Sequence, residues 1–175
     1  MTFIPLTRDH DATLHWRQPD SMRYRWVLAA APDQHIGALD YTNWSGGAAR
    51  GETATGTWAF EHAGVWRPRI IARVGEAEIA RLEVTNAWLQ NRASLVAPDG
   101  RQIAEWEMTS FLRGEVQWLA EDGARLITFR GGTDDAGISS WWRTECRVDF
   151  TPGGFAHPQR DLLLCIGWYL AVIAS

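Results

Sequence analysis

The sequence predicts a mainly β protein: a closed antiparallel β-barrel of about ten to twelve strands around a hydrophobic C-terminal helix. Three observations lead to this fold class. From Tyr24 onward, turn signals recur about every ten residues, which is typical of an antiparallel meander. Between the turns, apolar and polar residues alternate as they do in strands. Residues 162–174 contain no charged residue and would show no polar side as a helix, so protein or lipid must surround them.

The predicted strands are separated by short turns rich in glycine, proline and aspartate. Asp-Gly and Pro-Asp-Gly favour hairpins because glycine readily adopts the positive φ that these turns need. The turns between apolar segments are Pro32-Asp33-Gln34, Gly75-Glu76, Pro98-Asp99-Gly100 and Asp122-Gly123. They predict one continuous sheet, and closure of that sheet would remove its exposed edges.

Alternation identifies the buried face of three predicted strands. The inward residues are Ala80, Leu82 and Val84 in the first strand, Ala104, Trp106 and Met108 in the second, and Trp142, Cys146, Val148 and Phe150 in the third. The positions between them are mostly arginine, glutamate or aspartate, which indicates a face in contact with water. We therefore expect Trp106, Trp142 and Phe150 to be strongly buried, together with Trp168 of the helix.

The C-terminal helix is predicted over residues 158–175. Pro158 suits the first helical position, and Asp161 places a negative charge in the first turn. Gly153-Gly154 would let the chain turn from the last strand into the helix. A membrane span needs about 17–25 apolar residues, more than this segment offers. The helix is therefore expected at the centre of the barrel, and no transmembrane span is predicted.

Composition places the 175 residues in one domain, 1–175. The N-terminal segment, residues 1–22, is polar and irregular, and its interpretation is a short edge strand plus a loop. Eleven tryptophans would fill a wide interior. The net charge of −4 argues against nucleic-acid binding, which needs a basic surface. Cys146 and Cys165 lie in apolar stretches, so we expect buried, reduced thiols. No secretory signal is visible, and a cytoplasmic bacterial protein is expected.

The candidate ligand-binding residues are Trp66, Arg67, Arg69 and Arg73, the densest positive cluster in the chain. In a strand, the three arginines would share one face, and guanidinium groups beside an indole can bind a phosphate or a lipid head group. The alternative is structural. In that case the same arginines would pair with carboxylates on the next strand, those of Glu76, Glu78 and Glu83.

No motif indicates a catalytic residue, a metal site or a cofactor. His10 and His15 lie near two aspartates, but no further ligand with recognisable spacing follows. Asp134-Asp135 lacks the oxygen-ligand spacing of a calcium loop. Phosphate-binding glycine loops, nucleophile elbows and paired cysteine motifs are absent from the sequence.

The combination of many short strands and an apolar C-terminal helix resembles the tubby-like barrel superfamily, which includes tubby C-terminal domains, LURP-one-related proteins and phospholipid scramblases. The similar segments are LLLCIGWYLAVIA at 162–174, GTWAFEHAGVWRPRIIAR at 56–73 and LVAPDGRQIAEW at 95–106. The resemblance implies a barrel threaded by a hydrophobic helix. Tubby-type phosphoinositide binding uses a Lys/Arg pair, whereas this chain has no lysine. The calcium-linked segment and the Cys- and Pro-rich N-terminal region of scramblases also have no counterpart in residues 1–22.

The leading functional prediction is a non-enzymatic binding or scaffold domain that engages anionic lipid head groups or a protein partner. The first alternative is a lipocalin-like barrel that binds a small apolar ligand. It depends on whether Leu163, Ile166, Trp168 and Leu170 lie inside the barrel, because a filled interior leaves no room for a ligand. The second is a protein whose residues 162–174 insert into a membrane as a tail. The third is an enzyme, for which the residues indicate no reaction class.

Overall fold

The structure is a computed structural model of the chain, and it describes residues 1–19, 24–42, 47–63, 69–84, 92–110, 114–131 and 145–173. The predicted fold class is confirmed, because twelve antiparallel strands in these ranges form one closed barrel. The strands are β1 (His15–Arg17), β2 (Arg25–Ala31), β3 (Gln34–Tyr41), β4 (Ala48–Thr53), β5 (Gly56–Ala63), β6 (Arg69–Val74), β7 (Ala77–Val84), β8 (Arg92–Val96), β9 (Gln102–Ser110), β10 (Glu115–Leu119), β11 (Arg125–Gly131) and β12 (Glu145–Phe150).

Neighbours in the chain are neighbours in the barrel, and β1 closes it by pairing with both β2 and β12. At this closure, Trp16 lies opposite Leu28 on one side and Cys146 on the other. The predicted hairpins are present, and Gly75, Gly100 and Gly123 adopt φ values of 57°, 85° and 79° in their turns. Glycine is needed there because other residues rarely adopt this left-handed conformation.

The inward faces predicted from alternation are the buried ones. Ala80 and Leu82 of β7, Ala104 and Trp106 of β9, and Cys146, Val148 and Phe150 of β12 are all buried, and Met108 packs against the core. Trp142 lies outside the described residues. Glu105 and Glu107 lie on the outer face of β9, as the alternating pattern predicts. The pattern therefore gave the correct face for each of these strands.

Helix α2 (Arg160–Ile173) fills the barrel, and its residues from Asp161 to Ala171 are all buried. It begins two residues later than predicted, because Pro158 and Gln159 form a turn. Residues 174–175 lie outside the described residues.

A short helix, α1 (Pro152–Ala156), precedes α2 where the glycine pair was expected to form only a turn. The Thr151 hydroxyl accepts a hydrogen bond from the amide of Gly154 at 3.1 Å and caps this helix. A Cβ atom at Gly154 would lie 2.0 Å from the carbonyl oxygen of Leu126, so only glycine fits. Gly154 is therefore required by close packing, whereas a Cβ atom at Gly153 would make only ordinary contacts, the nearest at 3.8 Å.

The N-terminal segment 1–22, expected to be irregular apart from a short edge strand, contains a 3-10 helix at Arg8–Thr13 and the short strand β1, which pairs on both sides and is therefore not an edge. Three residues are too few for alternation to identify β1, and pairing on both sides stabilises it. Nearer the N-terminus, the amide of Ile4 donates to the carbonyl of His35 at 2.9 Å. Residues 20–22 lie outside the described residues.

Aromatic side chains pack α2 against the barrel wall. The Trp168 ring stacks on Trp16 with 6.0 Å between centroids and meets the edge of Trp26 at 4.9 Å. On another side of the helix, Tyr169 stacks on Tyr41 and Phe60 at 5.8 and 5.6 Å. These rings fill the space that the high tryptophan content predicted.

A polar cluster surrounds the first turn of α2. Asp161 is buried, and its Oδ2 accepts hydrogen bonds from the hydroxyls of Thr53 and Thr55 in the β4–β5 hairpin. The guanidinium of Arg160 lies 3.2 Å from Oδ1 of Asp161 and donates to the backbone carbonyls of Leu6 and Phe155. A buried carboxylate needs such partners. The cluster therefore fixes where the helix enters the barrel.

Candidate functional site

The predicted site falls partly outside the described residues, because Trp66 and Arg67 lie between residues 63 and 69. Arg69 and Arg73 both belong to β6 and lie on its outer side, as predicted. Their outward direction follows from the strand, since Ile70 and Ala72 are buried in the core.

Arg73 is held in position by two contacts. Its Nε lies 3.4 Å from Oε2 of Glu61 on β5, and one Nη donates to the backbone carbonyl of Glu76 at 3.1 Å. The other Nη has no partner among the described residues, and 31% of the side chain is exposed. Arg73 is therefore an oriented guanidinium that still has free donors.

Arg69 is exposed and has no ion pair with any described residue, although it lies opposite Glu83 in the strand register. Glu83 instead lies 2.8 Å from Arg81 of its own strand. Its carboxylate is therefore already partnered, and Arg69 stays available for a ligand.

The carboxylates expected to neutralise the β6 arginines have other roles. Glu78, like Glu83, pairs with Arg81, at 3.4 Å. Glu76 contacts Arg73 through its backbone carbonyl. The carboxylate that pairs with Arg73 is Glu61, which lies on the preceding strand rather than the following one. Arg81 explains the difference, because it lies between Glu78 and Glu83 on the same strand and binds both.

Strand register adds an arginine that the sequence did not single out. Arg50 of β4 lies opposite Ala59 of β5, and Ala59 lies opposite Arg73 of β6. Arg50 is exposed, and no described residue forms an ion pair or hydrogen bond with its side chain. Alternation around buried Ala49 and Gly51 could have placed Arg50 outside. Its neighbours could not be predicted, because the sequence does not specify pairing register.

We call the outward residues Arg50, Ala59, Glu61, Arg69 and Arg73 the β4–β6 face. Elsewhere on the outer surface, several arginines of β7–β12 are paired with carboxylates, and we call this set of ion pairs the charge belt. Its ion pairs are Arg81 with Glu78 and Glu83, Arg92 with Glu105 and Glu107, Arg130 with Glu115 and Asp149, and Arg147 with Asp149. On β1, Nδ1 of His15 lies 3.3 Å from Oε1 of Glu145. Hydrogen bonds from Gln117 and Arg92 lower the pKa of Glu107.

The titratable groups inside the barrel are poorly suited to nucleophilic chemistry. Both cysteines are free and buried, as predicted, and burial raises the pKa of Cys146 and Cys165 far above the ordinary value. Burial also raises the pKa of Tyr169 to about 12 and that of Tyr41 well above its ordinary value. These groups stay protonated at neutral pH, whereas the thiolate is the reactive form of cysteine.

Within the described ranges, no three His, Cys, Asp or Glu side chains are grouped so that they could hold a metal ion. In the same ranges, neither helix is long and apolar enough to cross a membrane.

Comparison of the chain with protein-family models, with curated proteins and with solved structures found no match. The resemblance to the tubby-like superfamily therefore stays a prediction, as do the cytoplasmic location and the bacterial origin.

Proposed function

We propose that the chain is a binding domain without an enzymatic function, and that it engages anionic lipid head groups through the outer surface of β4–β6. The observation that supports this proposal most directly is the position of α2. Leu163, Ile166, Trp168 and Leu170 are all buried, with at most 5% of each residue exposed. A barrel filled by its own helix leaves binding to its outer surface and loops.

The same observation argues against a lipocalin-like barrel. The helix touches the wall closely: the indole Nε1 of Trp118 donates to the carbonyl of Leu163 at 2.8 Å. A Cβ atom at Gly167 would lie 2.5 Å from that Nε1 and 2.7 Å from the ring of Phe129. An apolar ligand inside the barrel would have to displace this helix, so we favour binding at the outer surface.

The β4–β6 face is the best-supported part of that surface. Anionic ligands bind where cations are not already neutralised, and Arg69 and Arg50 lack carboxylate partners among the described residues. In the charge belt, by contrast, each arginine already faces one or two carboxylates. Trp66 and Arg67 are the other two predicted ligand-binding residues, and they lie just before Arg69 in the sequence. Their part in binding stays a prediction.

Vesicle co-sedimentation tests this proposal. Wild-type protein should bind vesicles that contain phosphatidylserine or phosphatidic acid at low salt, where electrostatic attraction is strongest. Replacement of Arg67, Arg69 and Arg73 by Gln should weaken binding and leave the melting temperature nearly unchanged. Absence of wild-type binding at low salt would refute the lipid proposal. A triple variant that binds as well as wild type would place the site elsewhere, and one that melts much lower would make the arginines structural.

A further inference from the structure

We propose that Arg50 and Arg73 form an anion clamp over Ala59, and that its ligand is a phosphate monoester. The inference rests on the proposed function, because it names a chemistry for the face that we assign to head-group binding. Arg50 is the new element, since it lies outside the cluster recognised in the sequence.

Strand geometry brings the two arginines to opposite sides of one small residue. Arg50, Ala59 and Arg73 lie in one row across β4, β5 and β6. Neighbouring strands are about 4.8 Å apart, so the Cα atoms of the two arginines are separated by roughly 10 Å. Ala59 has only a methyl group, so its own side chain does not fill the space between the two arginines. A long side chain at this position would occupy that space.

The pairing of nearby charges explains why Arg50 is available. Asp40 of β3 lies directly opposite Arg50 in the antiparallel pair of β3 and β4. The carboxylate of Asp40 lies 3.5 Å from Arg25, on the far side of β3. No described carboxylate therefore forms an ion pair with Arg50, although Glu52 lies two residues further along the same outer face of β4. On the other side of Ala59, Glu61 and the Glu76 carbonyl orient Arg73 and leave one Nη unoccupied.

The arrangement favours a ligand whose acceptor oxygens point in opposing directions. A carboxylate has two oxygens in one plane, and a single guanidinium can satisfy both of them. A phosphodiester also has only two free oxygens. A phosphate monoester has three, and at neutral pH it bears close to two negative charges. It can therefore accept hydrogen bonds from Arg50 and Arg73 at once, and its second negative charge strengthens the attraction to both guanidinium groups against the repulsion from the nearby Glu61.

Binding to three probes separates the clamp from general attraction to anions. The first probe is vesicles with phosphatidic acid, which is a phosphate monoester. The second is vesicles of the same surface charge with phosphatidylglycerol, which is a phosphodiester. The third is inorganic phosphate. We expect wild-type protein to prefer phosphatidic acid vesicles. Arg50→Gln and Arg73→Gln should each weaken that binding about tenfold, which is the effect expected from loss of a charge-assisted hydrogen bond. Ala59→Leu should weaken it as well, with no change in charge.

Arg125→Gln is the matched control, because Arg125 is also exposed, has no side-chain partner among the described residues and lies on another part of the barrel, at the start of β11. It should change binding less than twofold. The melting temperature of Arg50→Gln should equal that of wild type, since no described contact is lost.

The outcomes separate the clamp from the proposed function. If Arg50→Gln behaves like Arg125→Gln while wild type binds both vesicles, the clamp is wrong and head-group binding stands. If wild type binds phosphate in an Arg50-dependent manner but binds no vesicles, the clamp stands with a soluble phosphate ligand and the lipid proposal fails. If wild type binds neither phosphate nor phosphatidic acid, the clamp is overturned.

Discussion

The barrel interior and the β4–β6 face differ in whether their side chains have contact partners within the protein. Inside, aromatic rings from α2 stack on rings of the wall, and the buried Asp161 is hydrogen-bonded to two threonines. Outside, on β4–β6, Arg50 and Arg69 have no partner among the described residues. Burial of apolar surface is the main source of stability, whereas unpartnered exposed charge contributes little to it. Stability and binding should therefore respond to different substitutions in this protein.

The largest expected effect tests the interior. Trp168→Ala removes a ring that contacts Trp16 and Trp26, and such large-to-small substitutions cost about 3–5 kcal/mol. The melting temperature, followed by circular dichroism, should fall by about 10 °C or more. Arg69→Gln is the control from the β4–β6 face and should melt like wild type. A Trp168→Ala protein with an unchanged melting temperature would show that the helix contributes little to the core.

Gly167→Leu tests the interior in the opposite direction, by overfilling it. The first added carbon would already clash with Trp118 and Phe129, and overpacking of this kind costs roughly 1–3 kcal/mol. Urea unfolding should show a lower midpoint with a similar slope. A midpoint equal to that of wild type would mean that the helix can shift easily within the barrel, and the close packing inferred here would be wrong.

The smallest expected effect concerns the charge belt, where outer charges are paired. The pKa of Glu107 is lowered in the folded protein, so its carboxylate stabilises the fold above its unfolded-state pKa. This contribution is lost as the pH falls through the folded-state value. Glu107→Gln should thus lower stability at pH 7 by less than about 1 kcal/mol, and by still less at acidic pH. Melting curves at both pH values measure the difference, and equal losses at both would contradict the assignment.

Local pattern was sufficient for most of the fold. The inward positions of β9 and β12 follow from the alternation of side chains along one strand, and the position of α2 follows from its lack of any polar side. Strand β1 and helix α1 could not be predicted in the same way. Each is short, and each is stabilised by residues distant in the sequence: β1 by β2 and β12, and α1 by the close approach of Gly154 to Leu126.

The candidate site shows the same limit more strongly. Alternation placed Arg69 and Arg73 outside correctly, but the partner of Arg73 proved to be Glu61, and Arg50 was missed. Both facts depend on which residues lie side by side on different strands. A shift of register by one residue would move every such neighbour to the other face. The sequence therefore predicts exposure well and cross-strand neighbours poorly.

The position of α2 after all twelve strands also determines how the chain can fold. All of these strands are synthesised before the helix that fills the barrel, so their inner faces stay exposed until α2 has been made. Closure then joins β1 to β12, which lie at distant points of the chain. Contacts of such long sequence separation form slowly, and exposed apolar strands aggregate during the delay. The barrel can therefore reach its packed state only after synthesis has reached α2.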